Sequence, residues 1–524
     1  MPLTTLRVRP VVAAAALSLL LGLAVVAFGI RAAPIITDSD FAVTELYVEL
    51  ATRGQLLAGP YSRFGWHHPG PLYFYVIAPF YALSGHRAAT LYAAAAAINV
   101  AAIVTLAWVL ARESRLLSAT VILACGAFAW RVPRFLASPW TGHVPVLPSL
   151  AFLALATAVM SGRVRMLPLM IVFGSFAAQT HIGLVPVVLL VSGAALLSTV
   201  SNRSARTAST RPLITAAGLA VVLWLPSILE CLLHQGGNPA MLWRFFVVDV
   251  YPGHSFWEAM ANGGYGLMGL FRPDFELPWG GHFGLDYLPW SLFGAAAEWL
   301  LLIVVASWHV AQKRRFEAHL AVVGLIAATV AVLGLMRVRG DILNHDLFRV
   351  AAIGALNVGV LAAAGFRGMA SAIGSRPLPT FGSVTVVAVV VTLMASLAVR
   401  DLQSLTAYER RQRGRAAVVA AHGAVRAYVS RTGVRKLLLQ IGDDRWGDAA
   451  GVLLRLVQDG TPVAVRDDEA MFTDRFTVSG DEDALVTLAD LDLHRVLRTT
   501  AGNSILLEAF PLFVDASRIS PREQ

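Results

Sequence analysis

The chain has 524 residues, of which 56% are hydrophobic and only 14% charged, where a soluble globular chain is nearer a quarter charged. The formal charge of +9 does not point to nucleic acid, because the arginines gather in short segments between apolar runs, the pattern of membrane orientation. Cys125 and Cys231 both lie in or beside apolar runs, which excludes a disulfide framework and a thiolate metal site.

The first apolar run, 11–30, follows Arg7 and Arg9, which keeps the N-terminus in the cytoplasm and sends residue 31 outward. The RAAP that follows would suit a cleaved signal peptide, but the run exceeds a signal core and is read as an uncleaved span. The first outer segment covers 31–86. Within it Val43, Leu46, Tyr47, Leu50 and Ala51 form one stripe at helical spacing, between Asp40 as N-cap and Gly54 as stop. This predicts a helix lying in the membrane interface, with Glu45 and Glu49 pointing away from the stripe, toward water or another protein surface. FGWHHPGPLYFY follows at 64–75, with two histidines, two prolines around a glycine, and a row of aromatics.

Further spans are predicted at 87–111, 116–130, 144–160, 166–180, 183–199, 212–231, 292–311, 318–336, 350–366 and 381–399, about eleven in all, each long enough to cross a hydrocarbon core of about 30 Å. The inside segments carry Arg112 and Arg115; Arg163 and Arg165; Arg203, Arg206 and Arg211; Lys313, Arg314 and Arg315; Arg367 and Arg376. Two outside segments break the rule: 131–143 has Arg131 and Arg134, and 337–349 has Arg337, Arg339 and Arg349. A loop at 232–291 also lies outside. From about residue 402 the composition turns polar: KLLLQIG reads as a strand, GDAAGVLLRLVQDG as an amphipathic helix ending at glycine, and PVAV as a second strand. That is a βαβ-like unit in a small α/β domain over 401–524, outside the cell; IGDDRWGD lacks the glycine pattern of a nucleotide loop, so no chemistry is assigned to it.

An acidic pair just outside the first span, an interfacial helix, and a histidine before P-x-P-L-x-x-Y resemble the GT-C superfamily of membrane glycosyltransferases. Its members include protein O-mannosyltransferases, lipid A aminoarabinose transferases and arabinofuranosyltransferases. Asp38 and Asp40 match the family's acidic position, and His68, Pro69 and Pro71 approximate its Lys-Pro-Pro or His-Pro-Pro element, with Gly70 a departure. FAAQTHIGLVPVVLL resembles the family's broken span, with His181 facing the active-site cavity. The resemblance covers residues 1–400 and implies a bacterial enzyme of the inner (plasma) membrane. It implies transfer, with inversion, of a sugar from a polyprenyl-phosphate donor to an extracytoplasmic glycan, lipid or protein acceptor.

That chemistry needs a carboxylate to take the acceptor's proton and cations for the departing phosphate, which guanidinium groups match at two points. Asp40 is the expected base, at the start of the interfacial helix, with Asp38 second and Glu45 third; a helix cap is the structural alternative for Asp40. Arg337, Arg339, Arg131 and Arg134 are expected at the donor phosphate, or else at lipid headgroups. Trp66, Tyr73 and Tyr75 offer flat faces for sugar rings, and His67 and His68 complete the loop. Adjacent histidines alone do not make a metal site, but metal ligation is the alternative role for His67 and His68, since some members of the superfamily use a divalent cation, here magnesium or manganese. A polytopic transporter or flippase is the alternative, but such proteins bury ionisable groups near the midplane, and here Glu230 and Glu298 lie near span ends.

Overall fold

A computed structural model describes residues 5–201, 210–234, 236–249, 251–271, 288–372, 383–412, 415–465, 472–500, 502–509 and 512–519. Arg203, Arg206 and Arg376, and parts of the expected loop at 232–291, lie outside the described residues.

In chain order the helices are α1 (Thr5–Arg31), α2 (Ser39–Thr52), α3 (Leu72–Leu83), α4 (Ala89–Ala111), α5 (Arg115–Arg131), α6 (Val146–Met160), α7 (Leu167–Thr180), α8 (Val185–Ser201), α9 (Thr210–Leu233), α10 (Gly237–Trp243) and α11 (Phe256–Leu267). They continue as α12 (Leu288–Ala311), α13 (Arg315–Leu335), α14 (Asn344–Ala372), α15 (Ser383–Arg411) and α16 (Arg415–Thr432). The tail then runs β1 (Leu437–Ile441), α17 (Trp446–Gln458), β2 (Val463–Val465), β3 (Ala484–Ala489), α18 (Leu491–Leu497), β4 (Asn503–Ala509) and β5 (Leu512–Arg518). A helix covers each run expected to span, and among the described residues six are long and apolar enough to cross a membrane. The stretch expected as an outer loop holds α10 and α11, two short helices.

The chain forms two compact units, residues 1–94 with 404–524, and residues 95–403. In the first unit α2 packs against α3 and α17, so ten consecutive residues from Ala42 to Ala51 are buried. Gly54, with φ of +66°, stops α2 as expected. The loop after it folds back on itself: the Ser62 amide donates to the Trp66 carbonyl at 2.9 Å and the His68 amide to the Pro60 carbonyl at 2.7 Å. Gly59 sits at the crossing, where a Cβ would lie 2.2 Å from the His68 carbonyl oxygen and 2.8 Å from the Gly70 nitrogen. The tail sheet has the order β2-β1-β3-β5-β4. β1 lies parallel to β2 and β3, as the βαβ reading predicts, and β5 lies antiparallel to β3 and β4.

In the second unit α14 packs along α5, α11 and α13. At Gly359 the approach is close enough that a Cβ would come 2.4 Å from the Val121 Cα. α14 begins earlier than the span expected at 350–366, which brings Arg349 into its first turns rather than into a loop. Helices pack this tightly where small residues let backbones meet.

Candidate active site

The acidic end of the first unit is built around the start of α2. Asp38, not Asp40, occupies the N-cap, in extended conformation and without a side-chain cap bond. Asp40 lies in the first turn, so the expected capping role is corrected. Between them Ser39 takes φ of +49°, a left-handed conformation uncommon for a non-glycine residue. The two carboxylates have separate partners. The Tyr61 hydroxyl donates to Asp40, while Arg415 donates to both oxygens of Asp38, Nε at 3.3 Å and Nη2 at 3.4 Å. Burial, then the charge of Asp40, pushes the Tyr61 hydroxyl far above its ordinary titration range, so it stays a donor. Tyr61 is paired with His67 across a β-bridge, and His67 Nε2 lies 3.2 Å from the Tyr47 hydroxyl.

Glu45 and Glu49 do not face water; both are buried. Glu45 accepts from Thr37 at 2.6 Å, Tyr81 at 2.8 Å and Gln458 at 3.4 Å. Burial raises its pKa, although these donors and the charge of Arg455 oppose the rise. Glu49 pairs with Arg53 at 2.7 Å and with His86 at 2.6 Å. Glu45 lines a cavity of about 180 Å³ with His86, Arg87 and Arg455, and Asp40 does not line it.

The HHPGP loop is held from within. Trp66 stands edge-on to His68 with centroids 5.4 Å apart, and the Tyr75 hydroxyl donates to the Leu56 carbonyl at 2.8 Å. Tyr73 is 0% and Trp66 6% exposed, so these rings pack the loop rather than offer open faces. Tyr75 is half-buried.

In the second unit, three segments expected outside the membrane meet. Trp140 and His345 stand 5.5 Å apart between ring centroids, and His143 and Phe348 4.3 Å apart, which joins the loop after α5 to the start of α14. Arg349 lies over the break after α7: a Cβ on Gly183 would come 2.8 Å from its Cζ. His181 occupies that break in extended conformation and accepts the Gly183 amide on Nδ1 at 3.1 Å. His143 is fully buried, and burial, then the charge of His345, pushes its pKa down to about 3. Arg131 donates to the Gly269 carbonyl at 3.4 Å, and Arg134 takes φ of +68° at the head of a short 3-10 turn. Arg337 donates to the Phe246 carbonyl at 2.8 Å, and Arg339 lies 3.7 Å over the ring of Tyr251. These two arginines are thus brought to Phe246 and Tyr251.

Among the described residues no three His, Cys, Asp or Glu side chains are grouped to hold a metal ion. Tyr61, Arg415 and His143 escaped the sequence reading. Arg415 lies in a run of basic tail residues with nothing to distinguish it, and Tyr61 sits in a loop without period.

No model of a known protein family matches the sequence, and no curated protein matches it significantly. Solved structures do. The crystal structure of ArnT from Cupriavidus metallidurans bound to undecaprenyl phosphate aligns over 97% of this chain and 97% of its own, with a TM-score of 0.53 at 14% identity. The apo structure of the same protein aligns over 98% of each chain, with a TM-score of 0.52 at 15% identity. Arabinofuranosyltransferase AftD from Mycobacteria aligns over 98% of this chain but 40% of its own, at 15% identity and a TM-score of 0.42, too low to establish a shared fold. The protein therefore shares the fold of ArnT, an aminoarabinose transferase and so one of the kind of protein that its acidic pair and His-Pro-Gly-Pro element resembled.

Proposed function

We propose that this chain is an integral-membrane glycosyltransferase that moves a sugar, with inversion, from a polyprenyl-phosphate donor to an extracytoplasmic acceptor. The observation that carries the reading is the division of labour at the start of α2: Asp38 is paired with Arg415, while Asp40 accepts from the Tyr61 hydroxyl. Asp40 is the general base. The acceptor oxygen attacks the anomeric carbon as its proton passes to Asp40; the bond from that carbon to the phosphate oxygen breaks, and the phosphate leaves with the electron pair. Arg131, Arg134, Arg337 and Arg339 bind the leaving phosphate through guanidinium groups. His67, His68 and Tyr75 shape the acceptor side, and His181 lines the cavity at the α7–α8 break. Neither a sugar nor an acceptor class is favoured by these residues, and no step is assigned to a divalent cation.

Residues 1–400 form the transferase proper, with about eleven spans, the N-terminus in the cytoplasm and residues 401–524 outside. The undecaprenyl phosphate bound by ArnT supports a lipid-linked donor here. Mass spectrometry of lipid co-purified with the protein tests the reading. A polyprenyl-phosphate glycan is expected in the wild type and depleted when Arg337 and Arg339 are both replaced by glutamine. A preparation that carries no such lipid, and does not transfer from a synthetic donor, would overturn it.

A further inference from the structure

The C-terminal domain received no chemistry from its sequence, yet its elements close on the acidic residues of the first outer segment. Arg415, the first residue of α16, is 5% exposed and pairs with Asp38 at two points and with the carboxylate and carbonyl of Glu409. Glu409 in turn accepts from the Tyr92 hydroxyl at 3.1 Å. α17 lies directly on the same stretch. A Cβ on Gly447 would lie 2.5 Å from the Ser39 hydroxyl oxygen, and one on Gly451 would lie 2.9 Å from the Thr37 carbonyl. The two glycines are one helical turn apart, so one bare strip of α17 fits against residues 37–39. A buried guanidinium needs its partners, and here one of them is the carboxylate next but one to the proposed base.

We propose that Arg415 is a positioning residue for sugar transfer: it fixes Asp38 as an ion pair, holds Ser39 in its left-handed turn, and so leaves Asp40 turned toward Tyr61 as the single base. The C-terminal domain is then part of the catalytic apparatus. The turn at Ser39 aims the two carboxylates at different partners, and strain of this kind persists only where surrounding contacts hold it. Arginine suits the task because its planar fork meets both oxygens of Asp38, which a lysine cannot. The charged and titratable groups facing this site are Glu409 and Tyr92, Tyr61 and His67 in the loop, and the Arg445–Asp448 pair at the head of α17, 3.5 Å apart. With Arg415 present the site carries one cation against Asp38; without it Asp38 becomes a bare negative charge beside the base.

The proposal rests on Asp40 being the base, and the test separates the two ideas. Transfer is measured against pH with the purified full-length protein and its Arg415→Gln, Asp38→Asn and doubly substituted forms. Arg415→Gln is expected to lower kcat roughly 10- to 100-fold, the scale of losing charge-assisted hydrogen bonds. It should also move the acid limb of the kcat profile to higher pH, because the freed charge of Asp38 opposes ionisation of Asp40. Adding Asp38→Asn should bring the limb back without restoring kcat. A folded Arg415→Gln protein with wild-type kcat and an unmoved limb would overturn the proposal, whatever its melting temperature. If Arg415→Gln does not fold, Asp38→Asn decides alone: a roughly tenfold loss of kcat, on the same scale, supports positioning, and a wild-type rate refutes it. Loss of all transfer in Asp38→Asn together with full transfer in Asp40→Asn would instead sink the base assignment.

Discussion

Each compact unit buries both carboxylates and imidazoles, and one group from each makes the instructive contrast. The first buries carboxylates, Glu45 and Glu49, and supplies each with donors. The second buries an imidazole, His143, among the rings of Phe135, Trp140 and Phe348. Desolvation acts on both and disfavours the charged form in each case. Because the charged form is basic in one and acidic in the other, the same cause has opposite consequences: Glu45 holds its proton more readily than a free carboxyl, and His143 refuses one. Acid therefore favours the native state around the first and opposes it around the second.

The comparison is sharpest in the activity of the first unit. Asp40→Asn is expected to lower transfer roughly 10²- to 10⁴-fold, the worth of a positioned base, with melting temperature unchanged because the cap is Asp38. Transfer at the wild-type rate would remove the base from this unit altogether. Tyr61→Phe removes the donor to Asp40 and should cost roughly 10- to 100-fold, with the larger part in kcat.

The next effect belongs to the second unit. Its native state keeps His143 neutral down to about pH 3, whereas the unfolded chain takes up that proton below about 6.5. The unfolded state then binds more protons, so stability is present above 6.5 and is lost as pH falls toward 3, by up to about 1.4 kcal/mol per pH unit. His143→Phe should flatten that part of the melting curve measured between pH 7.5 and 5. A slope that survives the substitution assigns the acid sensitivity elsewhere. The smallest effect is at Glu45. Its raised native pKa means the folded state binds more protons, so its contribution falls as pH rises through the window above 4.5. Glu45→Gln should remove that slope while changing stability at neutral pH by under about 1 kcal/mol, read as melting temperature in nanodiscs. A larger loss would mean that the ionised carboxylate itself holds Thr37, Tyr81 and Gln458.

Much of the architecture was legible because membrane spans and βαβ units announce themselves locally. Each apolar run became a helix, and KLLLQIG and PVAV became parallel strands around one helix, since their patterns depend only on near neighbours. The candidate site was legible in part. TDSD offers several equivalent caps, and nothing local says that Asp38 takes the position while Asp40 enters the helix. The helical wheel rightly separates Glu45 from the apolar stripe but cannot know that Gln458, 413 residues later, covers it. Arg415 lies 377 residues from Asp38, and such pairings leave no trace in spacing. Arg349 was misread for another reason: a charged residue at a span's edge looks like loop, yet the helix continues around it.

The crossing at Gly59 limits which substitutions the loop accepts. Any side chain there strikes the His68 carbonyl and the Gly70 backbone. A proline at 70 would hang its ring carbon on the very nitrogen that already lies against Gly59. The glycine between the prolines and the glycine eleven residues before it are therefore one steric requirement rather than two. Adjacent prolines would fit here only if the loop opened at Gly59.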